Sequence, residues 1–227
     1  MGIEIINTGD GSRSLLVSEL NETYHSTHGA LTESQYVFID KGIAAYLESN
    51  PCNSINVLEI GFGTGLNALL TAKYALHNKV MITYHTLETN PLDDTITNEL
   101  NYHELIDEPD TEELFMRLHS GKWDEEHKIN PYFRLKKIHK KVQEYQPANH
   151  LFEVIYFDAF APSRQPEMWD LSIFRNLYLA TRDKGILTTY CAQGQFKRDL
   201  KSSGFEVETL PGPPGKKEMT RGTKIGG

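Results

Sequence analysis

Short apolar runs alternate with polar stretches of helical character along most of the chain. Ile55-Asn56-Val57-Leu58-Glu59-Ile60 follows the break at Pro51 to Asn53 and reads as a buried strand. A glycine loop leads from it into a predicted helix from Leu66 to about His77, and Met81 to Glu88 reads as the next strand. Phe133 to His139 predicts a third strand despite its lysines, and Phe152 to Asp158 is an apolar strand ending in an acid. Beyond it the pattern predicts a helix over 167–182, a strand from Gly185 to Tyr190 and a helix from Gln195 to Ser203. Strands from Phe205 to Leu210 and from Met219 to Ile225 follow, joined through Pro211-Gly212-Pro213-Pro214-Gly215 as an antiparallel pair.

Seven strands separated by helices imply an α/β fold, with a largely parallel sheet and helices on both faces. Two segments flank that pattern. Residues 1–30 read as short strands and turns with a hairpin turn at Asn7 to Gly11, followed by a helix over 32–48. Thr32 is its expected N-cap, and Tyr36, Val37, Ile39 and Ile43 form its apolar stripe. Residues 1–50 are therefore expected to be an N-terminal extension on the substrate side, within a single domain spanning 1–227. The acidic stretch 92–130, broken at Pro109 and Gly121, is expected to be a helical insertion.

Composition narrows the function classes. With 39% hydrophobic and 24% charged residues, the chain has the make-up of an ordinary globular protein. No run reaches the roughly 20 apolar residues that span a bilayer, and the N-terminus lacks a secretory pattern. Cys52 and Cys191 are the only cysteines and show no metal spacing, so the expectation is a reduced, cytoplasmic protein without a metal. The net charge of -8 argues against nonspecific nucleic-acid binding by the whole surface. Bases nevertheless cluster from Lys128 to Lys141 and from Lys216 to Lys224, which leaves room for a local phosphate-binding patch.

Three places carry candidate chemistry. In Glu59-Ile60-Gly61-Phe62-Gly63-Thr64-Gly65 the glycines allow a sharp turn and close approach of backbone to a ligand, and the next helix starts at once. A dinucleotide site calls for G-x-G-x-x-G, whereas the spacing here is G-x-G-x-G with Glu59 two positions ahead. An acid there would repel a pyrophosphate but favour the cationic methionyl end of S-adenosylmethionine. Glu88, closing the second strand, is placed to reach ribose hydroxyls. Asp158 ends the most apolar strand, ahead of Ala159-Phe160-Ala161-Pro162. An alkylamine with a pKa of about 10 must lose a proton before it can be methylated, and this carboxylate can orient it and accept that proton. The plainer alternatives are a tight strand–helix turn, a surface glutamate and, for Asp158, the N-cap of the next helix.

Leu58 to Asn67, Leu87-Glu88-Thr89-Asn90-Pro91-Leu92 and Phe157-Asp158-Ala159-Phe160-Ala161-Pro162 with Gln165-Pro166-Glu167-Met168-Trp169 resemble the methyltransferase half of the MnmC tRNA-modifying family. So do Tyr24-His25-Ser26, Gly29 to Ser34 and Gly215-Lys216-Lys217-Glu218-Met219. The resemblance implies a class I, Rossmann-like methyltransferase that methylates the aminomethyl nitrogen of a tRNA wobble uridine with S-adenosyl-L-methionine. It implies cofactor contacts from Glu59, Gly61, Phe62, Gly63, Thr64, Gly65, Leu66, Asn67 and Glu88, with Asp158 beside the methyl group as the catalytic residue. In that family an FAD-dependent half prepares the amine. Here the sequence stops after the methyltransferase motifs, so the resemblance implies a stand-alone form that receives aminomethyl-uridine made by another route, or only part of the reaction, with a separate FAD-dependent oxidoreductase as a candidate partner.

Where an acid often meets the adenine amino group in this architecture, the chain has His139-Lys140-Lys141-Val142. Adenine recognition is therefore assigned to backbone around Lys141 and Val142. Tyr36, Phe160, Pro162, Lys216 and Lys217 are the candidate substrate-binding residues. Lys128, Arg134, Lys136, Lys137, Lys140, Lys141 and Arg221 are further candidates for tRNA phosphate contacts. Two rival readings remain: a methyl- or aminopropyltransferase acting on a small free amine, and a non-catalytic cofactor-binding partner of an FAD enzyme.

Overall fold

A computed structural model describes residues 2–106 and 108–226. Strands β1 (Ile3–Asn7), β2 (Arg13–Val17) and β3 (Glu22–Thr23) form a small antiparallel sheet, turning where the sequence predicts, with Asn7 opposite Arg13. Helix α1 (Ala30–Ser34) runs through a π-helical segment, Gln35–Ala44, into α2 (Ala45–Ser49), making 30–49 one continuous helix. It begins earlier than expected. Thr32 lies inside the first turn rather than capping it, and its N–H and hydroxyl both donate to Asp10 Oδ2, at 2.9 and 2.8 Å. Ser12 Oγ accepts the Ala30 N–H at 3.1 Å. The free N–H groups of the helix are thus satisfied from the hairpin, about 20 residues away in sequence.

The main sheet contains β4 (Ser54–Ile60), β5 (Met81–Glu88), β6 (Glu126–Asn130), β7 (Phe133–His139), β8 (Phe152–Phe157), β9 (Thr181–Thr189), β10 (Glu206–Pro211) and β11 (Glu218–Thr223). Their order is β10-β11-β9-β8-β4-β5-β7-β6. The five central strands, β9 to β7, are parallel, and β10, β11 and β6 are antiparallel additions at the two edges. The sheet thus has eight strands where seven were expected. The extra one, β6, is a polar edge strand in which only Ile129 is buried, and the supposed helical insertion ends in it. Before it come α4 (Asp94–Thr97), α5 (Tyr102–Leu105) and α6 (Thr111–Ser120).

The central strands are buried on both faces, as a parallel sheet requires. Val57, Val154 and Tyr156 point into a core with the 30–49 helix and α3 (Leu66–Asn78). Their neighbours Leu58, Ile155 and Phe157 point into a second core with α7 (Leu171–Ala180) and α8 (Gly194–Ser202). The predicted helix 167–182 is in fact a 3-10 turn, Pro166–Trp169, followed by α7, whose N-cap Asp170 accepts the Ser172 N–H at 2.8 Å. The cap is therefore not Asp158, which leaves that carboxyl free for other work.

From β4 the chain runs outward to β5 and β7, then returns to place β8 on the other side of β4. That reversal is the switch point of a doubly wound, Rossmann-like sheet, where a crevice opens at the carboxyl ends of the strands. The loop after β4 and the loop after β8 flank it.

Candidate functional site

A cleft of about 960 Å³ occupies the switch point. Its floor is the loop after β4. Gly61 has φ +95°, and a Cβ there would lie 2.7 Å from the Asp158 carbonyl oxygen, so only glycine lets the two loops meet. Gly63, at φ +51°, has the Tyr24 ring against its Cα; a Cβ would lie 3.1 Å from that ring. The loop is anchored from β5: the Gly61 and Phe62 N–H groups both donate to the Leu87 carbonyl, at 3.0 and 3.2 Å. Glu88 holds it as well. One carboxylate oxygen accepts the Gly63 N–H at 3.0 Å, and the other accepts from Thr89 and Asn90, at 2.7 and 2.8 Å.

Asp158 begins the opposite wall. Its backbone N–H donates to the Ile60 carbonyl at 3.0 Å, and its Oδ2 accepts from Asn67 Nδ2 at 2.8 Å. Burial, with help from the Glu33 charge, raises its pKa to about 7, against the lowering influence of Asn67 and Lys216. A carboxyl poised near neutrality can both accept and release a proton. Asn67 is buried, and its Oδ1 has no hydrogen-bond partner among the described residues.

Most of the expected site residues meet here. Gly61, Phe62, Gly63, Thr64, Leu66, Asn67, Glu88, Lys141, Val142, Asp158, Phe160 and Lys216 all line the cleft. Glu59 does not. It is fully buried behind the loop, where Oε2 accepts from Thr86 Oγ1 at 2.7 Å, and burial raises its pKa to about 8. A carboxyl that retains its proton at neutral pH, outside the cleft wall, is no counter-charge for a ligand; it belongs to the support of the loop. Gly65 likewise stands behind the wall as the N-cap of α3, with φ +76°. Tyr36 lies elsewhere, in a second cavity with Tyr74 and His77, and donates to the Pro211 carbonyl at 3.1 Å. Pro162 and Lys217 lie outside the lining.

Lys137 is a further correction. It points inward, 2% exposed, with Nζ donating to the His119 carbonyl and lying 5.0 Å from the Trp123 ring centroid. Burial lowers its pKa to about 8, and because the ammonium is turned inward it is not presented to a phosphate outside. Arg134 is exposed but already paired with Glu126 at 2.9 Å.

The structure also brings in residues that the sequence reading did not nominate. Tyr24 packs edge-on against Phe160, with ring centroids 5.1 Å apart. His25 and Glu33 reach the cleft from the N-terminal hairpin and helix, and Tyr190 from the end of β9. Burial drives the His25 pKa down to about 4, which keeps the ring neutral. These residues are scattered along the chain and converge only once the hairpin folds across the sheet. At the far end, Val142 and Met168 supply an apolar wall, and Gln143 Nε2 donates to the Glu167 carbonyl at 3.0 Å. No group of His, Cys, Asp and Glu suited to a metal occurs among the described residues. Nor is any helix among them long and apolar enough to cross a membrane.

Comparison with known proteins bears on the family and the fold. A family model of S-adenosyl-L-methionine-dependent methyltransferases matches residues 114–225. The tRNA 5-methylaminomethyl-2-thiouridine biosynthesis bifunctional protein MnmC of Nitrosospira multiformis is 30% identical over 220 residues, covering 92% of this chain. The protein of that name from Leptospira interrogans is 33% identical, covering 90% of this chain. The chain spans 35% and 33% of those two relatives' lengths. The solved structure of MNMC2 from Aquifex aeolicus shares the fold, with a TM-score of 0.79 at 24% identity, covering 99% of this chain and 71% of that one.

Proposed function

We propose a specific reaction for this chain, which belongs to the S-adenosyl-L-methionine-dependent methyltransferases and is similar to the methyltransferase region of MnmC: N-methylation of a 5-aminomethyl group on (2-thio)uridine at the tRNA wobble position. The observation that carries this reading is Asp158, a carboxyl with a pKa near 7 at the switch point, facing a glycine loop that leaves room for a ligand.

The residues present suit S-adenosylmethionine. Gly61 and Gly63 put bare backbone at the cleft floor, Glu88 stands at the end of β5 where a diol is met in such folds, and Asn67 keeps an unpartnered acceptor for a cationic ligand group. Val142 and Met168 offer apolar surface for a purine, and backbone groups around Lys141 and Val142 its polar edge. When bound, the donor supplies an electrophilic methyl group on a sulfonium.

The protein's own contribution is alignment and proton transfer. Asn67 fixes the Asp158 carboxylate, and Asp158 would orient the substrate ammonium and take its proton, freeing the nitrogen lone pair to form the new N–C bond while the electron pair of the broken methyl–sulfur bond stays with the departing thioether. Phe160, braced by Tyr24 and by the Trp169 Nε1–H donating to its carbonyl at 2.9 Å, offers a ring for the uridine base to stack on. Lys140, Lys141 and Lys217 are exposed, and they are the candidates for backbone phosphates. The prepared amine would come from an FAD-dependent oxidoreductase activity.

The test is to incubate the protein with methyl-labelled S-adenosylmethionine and tRNA carrying 5-aminomethyl-uridine, then digest to nucleosides. Label in the methylaminomethyl nucleoside is the expected result. Label only in free amines, or none in any tRNA, would refute the assignment.

A further inference from the structure

Sharing the cleft with Asp158 is a lysine that is already engaged. Lys216, in the turn between β10 and β11, donates from Nζ to Glu33 Oε1, and the same ammonium sits 3.8 Å from the centroid of the Tyr190 ring. Glu33 is 6% exposed, and its other oxygen accepts the Ser26 N–H at 2.8 Å, so the carboxylate is fixed in place. Tyr190 is fixed too, its hydroxyl donating to the Ala159 carbonyl at 2.8 Å, next to Asp158 in the chain. Glu33, Asp158, Tyr190 and Lys216 all line the one cleft.

A buried carboxylate, an aromatic face and a second carboxyl nearby together make a receptor for a primary alkylammonium. The present occupant is itself a primary amine on an sp3 carbon, the same functional group as an aminomethyl substituent. We propose that Glu33 and the Tyr190 ring, with Asp158 beside them, are the docking site for the substrate's ammonium group, and that Lys216 is an internal stand-in which leaves when substrate enters. The proposal rests on the reading of the protein as an aminomethyl methyltransferase and adds the subsite that selects the amine.

The exchange conserves charge. One cation replaces another over Glu33, so the carboxylate is never left buried and unpaired. Lys216 has a long flexible stem and can swing to the cleft mouth without moving the backbone, which the Lys216 N–H to Pro213 carbonyl bond holds at 2.9 Å. At the mouth it would meet an RNA phosphate. A tRNA therefore offers Lys216 a new partner while its own amine takes the old one. A small free amine offers nothing in return, and is excluded.

The probe is n-propylammonium, titrated by calorimetry or NMR into the full chain saturated with S-adenosylhomocysteine, so that binding is read without methyl transfer. A failure of the tRNA assignment and a failure of this subsite are then separate results. Lys216→Ala, with Lys216→Gln as a second variant that keeps a long polar side chain without the charge, is expected to bind the probe roughly tenfold or more tightly than the unaltered protein. Adding Glu33→Gln is expected to abolish the gain. Two results would overturn the proposal: folded Lys216 variants that bind the ammonium no better than the parent, or an equal gain for neutral n-propanol.

Discussion

Asn67 Nδ2 donates to Asp158 Oδ2 over 2.8 Å, tying the first turn of α3 to the end of β8 across the switch point. The amide stabilises the ionised carboxylate, while burial and the Glu33 charge oppose ionisation, and the balance leaves the pKa at about 7. The turnover rate should therefore rise with pH through an acid limb near neutrality, because Asp158 accepts a proton only when ionised. Asn67→Ala removes a lowering influence and is expected to move that limb upward by about half a unit to one unit. Asp158→Asn should lower turnover at least about a hundredfold while keeping cofactor affinity within about tenfold. Steady-state rates across pH 5–9, set beside cofactor titrations, check both.

Asp158 also carries a stability cost of known sign. Its folded pKa lies above the ordinary carboxylate value of 3.8, so between pH about 4 and 7 the folded state holds the proton more tightly than the unfolded chain. Stability on this account falls as pH rises through that window. Asp158→Asn cannot ionise, so it should melt higher than the parent at pH 8, by roughly 2–6 °C, and nearly level with it at pH 4. Thermal melts at the two pH values give the comparison.

At Gly61 both conformation and space forbid a side chain: φ is +95°, and a Cβ would press on the Asp158 carbonyl at 2.7 Å. Gly61→Ala is expected to destabilise the fold by about 1–3 kcal/mol and to weaken cofactor binding more than tenfold, since the loop must move away from Asp158. Denaturant melts and cofactor titration measure the two effects.

Lys141, on the cleft lining, and Lys217, beside Lys216 but outside the lining, are both exposed. If each meets a phosphate, Lys141→Ala and Lys217→Ala should each weaken tRNA binding a few-fold and reduce the slope of log affinity against log salt by about one, leaving cofactor affinity unchanged. Filter-binding or anisotropy titrations over a salt series read that slope.

The parallel core was legible because its strands are apolar on both faces. The boundaries read for β5 and β7 match residue by residue, and the antiparallel closing pair followed from the proline and glycine turn. Strand β6 was not legible, because an edge strand with one buried residue carries no hydrophobic signal. Thr32 was misread as a cap because the capping oxygen, on Asp10, comes from the hairpin. Glu59 and Lys137 were misassigned for one reason: spacing reveals a charge but not which way the side chain turns, and both turn inward. Glu33 and Tyr190 sit more than 150 residues apart, and their meeting over Lys216 is a property of the folded chain alone.

Donor and amine are expected to meet beside Asp158. A crystal structure with S-adenosylhomocysteine tests it most directly. The ligand is expected in the switch-point cleft, with its ribose hydroxyls on Glu88, its adenine against Val142 and its sulfur turned toward Asp158. A ligand bound outside that cleft, or one whose sulfur points away from Asp158, would contradict it.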